Sequence, residues 1–81
     1  MNGLARDPKQ IGNLIRRARK AQKLSQKDVA DRAGLRQETI SLIESGNSSA
    51  RIETLLAILA VLGLEFQIAP RSKTANVEVY F

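Results

Sequence analysis

The 81-residue sequence predicts a mainly α-helical domain of four or five helices followed by a short β-strand. From Gln26 to Ser45 the chain reads QKDVADRAGLRQETISLIES, which places a small residue (Ala30), a glycine (Gly34) and two isoleucines (Ile40, Ile43) at telling positions. Two short helices crossing at about 90 to 120° need a small residue at the contact and a turn that glycine tolerates. Further on, Leu64, Phe66 and Ile68 alternate with Glu65 and Gln67, the period of a half-buried strand. Residues 1–63 are thus expected to form the helical domain and residues 64–81 a strand and tail. A chain this short buries a limited core and often gains stability by pairing with a second copy.

The first helix opens at Asp7, a capping residue followed by Pro8, and Ile11, Leu14, Ile15 and Ala18 form its apolar stripe. It is expected to run to about Lys23. Its other side carries Lys9, Arg16, Arg17 and Lys20, which either touch phosphates or face water. Ser25 and Asp28 have the spacing of a capping box opening the second helix, which ends at Gly34. Gln26 and Lys27 fall in its first turn, where free backbone N–H groups suit a phosphate; Ser25 joins them there, chiefly as a cap.

The third helix is expected from Arg36 or Gln37 to Ser45, with Gly46 and Asn47 as its stop. Ile40 and Ile43 lie three apart and turn inward together, so Gln37, Glu38, Ser41, Leu42 and Ser45 face outward, with Arg36 at the start. These offsets are those of a helix-turn-helix, and the outward set is suited to reading bases. Arginine is bidentate to guanine and glutamine to adenine, a carboxylate such as Glu38 accepts from cytosine N4, and Leu42 meets a thymine methyl. Arg36, Gln37, Glu38, Ser41 and Leu42 are the expected base contacts. The loop Asn47–Ala50 is polar and small, suited to lying along a DNA backbone through Asn47 and Ser48.

Ser48 or Ser49 is expected to cap a fourth helix from about Arg51 to Leu62, stopped by Gly63. That helix is apolar on more than one face, so one face packs on the first three helices and another needs a partner. The strand Leu64–Ile68, ended by Pro70, has the same need, because a lone strand leaves its backbone groups unpaired. A second copy meets both, with Leu55, Leu59, Leu62, Leu64, Phe66 and Ile68 as the expected dimer interface. In the tail, Val77, Val79 and Phe81 alternate with Glu78 and Tyr80; a folded-back hairpin, insertion into a partner and disorder are all open to it.

Charge supports a polyanionic partner. Net charge is +5, yet Met1–Arg36 holds ten Lys/Arg against three Asp/Glu (+7), and Gln37–Phe81 three against five (−2). Such a basic half favours fast, non-specific association with nucleic acid. With no Cys and no His, the chain lacks the usual nucleophile, general base and transition-metal ligands, so neither enzyme activity nor a cofactor or metal is expected. Cysteine-free composition fits a reducing cytoplasm. No apolar run reaches the length that spans a bilayer, so no membrane partner is expected and the protein is placed in the cytoplasm, at the nucleoid.

The segment LSQKDVADRAGLRQETISLIESG resembles the lambda-repressor-like helix-turn-helix of the Xre family over about residues 10–62. Within that family, an apolar last helix followed directly by LEFQIAP is similar to the HipB-like antitoxins, whose protomers pair strands in an intermolecular lid. The resemblance implies a recognition helix in the major groove, Gln26 and Thr39 on the DNA backbone, and Arg36, Gln37 and Ser41 at base edges. It implies an ion pair of Arg19 with Glu44 behind the recognition helix, which gives Arg19 a scaffold role. It further implies a homodimeric repressor on palindromic operator DNA and a HipA-like serine/threonine kinase as the toxin partner. Glu38 and Leu42 depart from the family's usual neutral and polar side chains there.

Overall fold

The computed structural model describes residues 3–47 and 49–71, which hold four helices: α1 (Pro8–Ala21), α2 (Gln26–Ala33), α3 (Gln37–Glu44) and α4 (Ile52–Leu62). The boundaries of α1 and α2 have local causes. The Asp7 carboxylate accepts the Gln10 N–H at 2.8 Å, and Pro8 follows at the first helical position. α1 ends two residues short of the expected Lys23 because Lys23 sits at φ 60°, outside the right-handed helical region. Ser25 and Asp28 complete a reciprocal capping box, with the Ser25 hydroxyl accepting the Asp28 N–H at 3.0 Å and the Asp28 carboxylate accepting the Ser25 N–H at 2.8 Å. These hydrogen bonds hold the Asp28 carboxyl below the usual carboxylate range. Gly34 stops α2 in the left-handed region at φ 72°, where a Cβ would be strained.

α3 packs on α1 and α2, and α4 closes over α2 and α1. Ile15 and Ala18 of α1, Val29 and Ala30 of α2, Ile40 and Ile43 of α3, and Ile58, Leu59 and Leu62 of α4 form one core. The small residue at the α2 crossing is thus Ala30, as its spacing requires.

One expectation is corrected here, and one is not met within the described residues of a single chain. α4 takes Arg51 as its N-cap, without a side-chain capping bond. Ser49 lies two residues ahead of that cap and cannot fill it; Ser48 lies outside the described residues. The strand expected at Leu64–Ile68 is not seen in one chain: no β-strand occurs among the described residues. The Leu64 N–H instead donates to the Leu59 carbonyl at 2.8 Å, fastening its first residue to the end of α4 beyond the left-handed Gly63. Beyond it, Phe66 and Ile68 stay exposed, and no described segment offers them a backbone ladder. The alternation of Val77, Val79 and Phe81 lies outside the described residues.

Candidate nucleic-acid interface

The recognition surface is built on α3. With Ile40 and Ile43 only 0% and 3% exposed, the helix is fixed in rotation, and Arg36, Gln37, Glu38, Ser41 and Leu42 all stand exposed on its outer side. Leu42 leaves 51% of its surface to solvent, an exposed apolar side chain on the outer face. Thr39 is half-buried on the flank, and Ser45 turns its hydroxyl back to the Leu42 carbonyl at 2.8 Å.

Behind α3 lies a buried ion pair that joins three elements. Arg19 of α1 donates through Nε to Glu44 Oε2 at 2.7 Å and through Nη2 to Glu44 Oε1 at 2.9 Å. Its Nη1 donates to the Leu24 carbonyl at 2.8 Å, in the turn before α2. Gln26 Nε2, at the start of α2, donates to Glu44 Oε1 at 3.2 Å. Hydrogen bonding to Glu44 holds the Arg19 guanidinium above its ordinary pKa, outweighing burial, which pulls it down. Arg19 is therefore scaffold, although it is a cation in the basic half of the chain.

This web fixes the start of α2 beside α3, and Gln26, Gln37, Glu38 and Ser41 line one shallow open depression. The remaining backbone-contact candidates divide. Lys27 is exposed and pairs with Asp31 at 2.9 Å, which raises its pKa chiefly through that hydrogen bond. A solvent-exposed i,i+4 pair is weak, so a phosphate can displace Asp31. The Ser25 hydroxyl is already engaged in the cap. Asn47 is exposed at the end of α3 and shares an open groove with Thr39, Leu42, Ser49 and Arg51. Arg51 was not singled out as a contact from the sequence; its signal was a lone cation directly after a small polar loop.

The expected dimer interface is only partly available. Leu59 and Leu62 are 8% and 3% exposed within their own protomer, so they belong to the core and are withdrawn from the interface. Leu55 and Leu64 are half-buried, while Phe66 and Ile68 are exposed, as are Ile52 and Leu56 of α4.

Gly12 also escaped notice in the sequence. It sits in the middle of α1 against the backbone carbonyls of Ile43 and Glu44, so a Cβ there would meet Ile43 O and Glu44 O at once. The available signal was an isolated glycine inside a helical pattern, which marks a close backbone approach.

Comparison with known proteins agrees with this geometry. A helix-turn-helix family model matches residues 15–68, about two thirds of the chain. An uncharacterized HTH-type transcriptional regulator of Sinorhizobium fredii, y4dL, is 39% identical over 61 residues, 75% of this chain. The chain spans 31% of that relative's length. Among solved structures, a HipB–O4 20mer complex superposes with a TM-score of 0.81 at 24% identity, covering 88% of this chain and 100% of that one. The structure of a HipA-HipB-O2-O3 complex gives 0.80 at 24% identity over the same shares. At that identity the likeness is one of fold. Among the described residues, no helix is long and apolar enough to cross a membrane.

Proposed function

Because this chain belongs to the Xre-type helix-turn-helix family of DNA-binding transcription regulators, we propose that it is a homodimeric repressor that reads a palindromic operator through α3. The observation that carries the reading is the exposed set Arg36, Gln37, Glu38, Ser41 and Leu42 on a helix whose rotation and position are fixed from behind. Gln26, Lys27, Thr39, Asn47 and Ser48 hold the DNA backbone, with Ser25 shaping the turn. Two-fold symmetry then sets the half-sites about one helical turn apart.

Dimerisation rests on the apolar surface that one protomer leaves open: Leu55, Leu64, Phe66 and Ile68, with residues 64–81 as an extension that pairs strands between copies. The Leu64–Ile68 alternation supports this, since no described segment of the protomer supplies its backbone ladder. Burying a Phe or Ile side chain contributes about 1.5–3 kcal/mol, so Phe66→Asp or Ile68→Asp weakens self-association at least about tenfold. Sedimentation equilibrium reads this directly; an unchanged dimer in both variants removes the segment from the interface.

The finer role we assign is that of a HipB-like antitoxin, which represses its own operon and holds a HipA-like serine/threonine kinase inactive. Its support is the HipB-type fold over nearly the whole chain, together with an apolar α4 followed directly by LEFQIAP. The test is recovery of the tagged protein from its native cells, with nuclease added, and identification of what stays bound. A stoichiometric kinase supports the antitoxin role, whereas a homodimer alone makes the protein a stand-alone repressor.

At the DNA, Gln37→Ala is expected to lose about 1–3 kcal/mol on the operator and to relax one base position. Fluorescence anisotropy on operator and random duplexes separates the possibilities. Equal losses on both place Gln37 on the backbone instead.

A further inference from the structure

Of the exposed cations of α1, three share one helix face: Lys9, Arg16 and Lys20, at i, i+7 and i+11. None makes an ion pair among the described residues, where the pairs are Arg19–Glu44 and Lys27–Asp31. Arg16 and Lys20 are like charges at i,i+4, an arrangement that opposes the helix and is relieved by an anion from outside.

Their place relative to α3 selects the occupant. α1 meets α3 through Gly12, against the Ile43 and Glu44 carbonyls, and through Arg19, bound to the Glu44 carboxylate. Arg16 is four residues after Gly12 and three before Arg19, so it borders that contact on the helix surface. Lys9 is three before Gly12, and its backbone lies against Gly46, where α3 gives way to the polar loop: a Cβ on Gly46 would come within 2.9 Å of Lys9 Cα. The row therefore flanks, on the α1 surface, the residues through which α1 meets α3. Arg17, also exposed, lies about 100° further around the helix from Arg16 and away from those residues.

We propose that Lys9, Arg16 and Lys20 form a second phosphate-binding row, by which α1 carries the DNA backbone beyond the reach of α2 and the recognition helix. The inference rests on the reading of this chain as a DNA-binding protein and extends its footprint. The contacts are independent of sequence, since lysine and arginine on phosphate position a duplex without reading it.

The test is the salt dependence of binding to a labelled random-sequence duplex, for the full chain and for exposed-site variants whose helicity is checked by circular dichroism. Each phosphate contact removed flattens the log–log slope by about 0.9. Arg16→Gln is expected to lower it by about that much, and Lys9→Gln/Arg16→Gln/Lys20→Gln by about 2.7, while Arg17→Gln leaves it unchanged. Equal changes in Arg16→Gln and Arg17→Gln overturn the row in favour of diffuse net charge. An unaltered slope in the triple variant, with Lys27→Ala still flattening it, overturns the row but leaves DNA binding through α2 and α3 intact; an acidic protein surface then becomes its occupant. Absence of salt-dependent binding by the unmodified protein overturns the DNA reading itself.

Discussion

Glu44→Ala is expected to destabilise the domain by about 3–5 kcal/mol, measured as the shift in urea unfolding followed by circular dichroism. The magnitude comes from what the substitution leaves behind. Arg19 keeps its bond to the Leu24 carbonyl, but its Nε and Nη2 lose their acceptors, and Gln26 loses its own. An uncompensated buried guanidinium is far more damaging than the absence of the pair as a whole. Arg19→Met combined with Glu44→Leu should therefore recover most of the loss, because apolar replacements of similar volume are often neutral or better. Small domains are stable by only about 5–15 kcal/mol, so the single variant approaches the unfolding threshold at growth temperature. The double variant separates stability from geometry: it folds, yet it no longer ties α2 to α3 through Glu44, and its affinity for operator DNA is expected to stay below that of the original. A Glu44→Ala loss under about 1 kcal/mol would mean that the pair is solvated, as surface pairs are.

Much of this arrangement is legible in the residues themselves, and the exceptions have physical causes. The start of α1 and both ends of α2 follow from local chemistry at Asp7–Pro8, Ser25–Asp28 and Gly34, all within a few residues of the backbone they satisfy. The outward face of α3 follows from Ile40 and Ile43, because burying two residues on one helix face fixes the rest. The Arg19–Glu44 pair cannot be read the same way: twenty-five residues separate the two, and one sequence gives no reason to join this arginine to this glutamate. Only the family resemblance supplied it. α4 hides its orientation for the opposite reason. With apolar residues on several faces, nothing in the pattern says that Leu59 and Leu62 are buried while Ile52 and Leu56 are exposed. The Leu64–Ile68 alternation records a demand for a strand partner, and the described residues of one chain do not contain the group that meets it.

Gly12→Ala sets two opposing effects against each other, and their magnitudes decide the sign. In an exposed helix interior, replacing glycine by alanine stabilises by about 1 kcal/mol, since glycine loses the most backbone entropy on folding. At Gly12 the new methyl meets the carbonyl oxygens of Ile43 and Glu44, the latter at 2.8 Å. These are backbone atoms of α3, not the ends of flexible side chains, so relief comes only by moving one helix off the other. Overpacking of that kind typically costs about 1–3 kcal/mol or more, which exceeds the propensity gain and leaves a net loss. Gly12→Val, bulkier and β-branched, is expected to fall at or beyond the upper end of that range. The displacement also reaches the DNA-facing side. Gly12 lies under the C-terminal turn of α3, next to Glu44, so pushing α1 away shifts α3 against the start of α2 and misaligns Gln37 and Ser41 with Gln26. Operator affinity in Gly12→Ala is thus expected to drop even at temperatures where the variant remains folded, whereas Gly34→Ala, with nothing within 4 Å of its Cβ, strains only the turn itself. Thermal unfolding together with operator binding below the transition checks both parts, and a Gly12→Ala variant as stable as the original would show that α1 and α3 stand further apart than these contacts require.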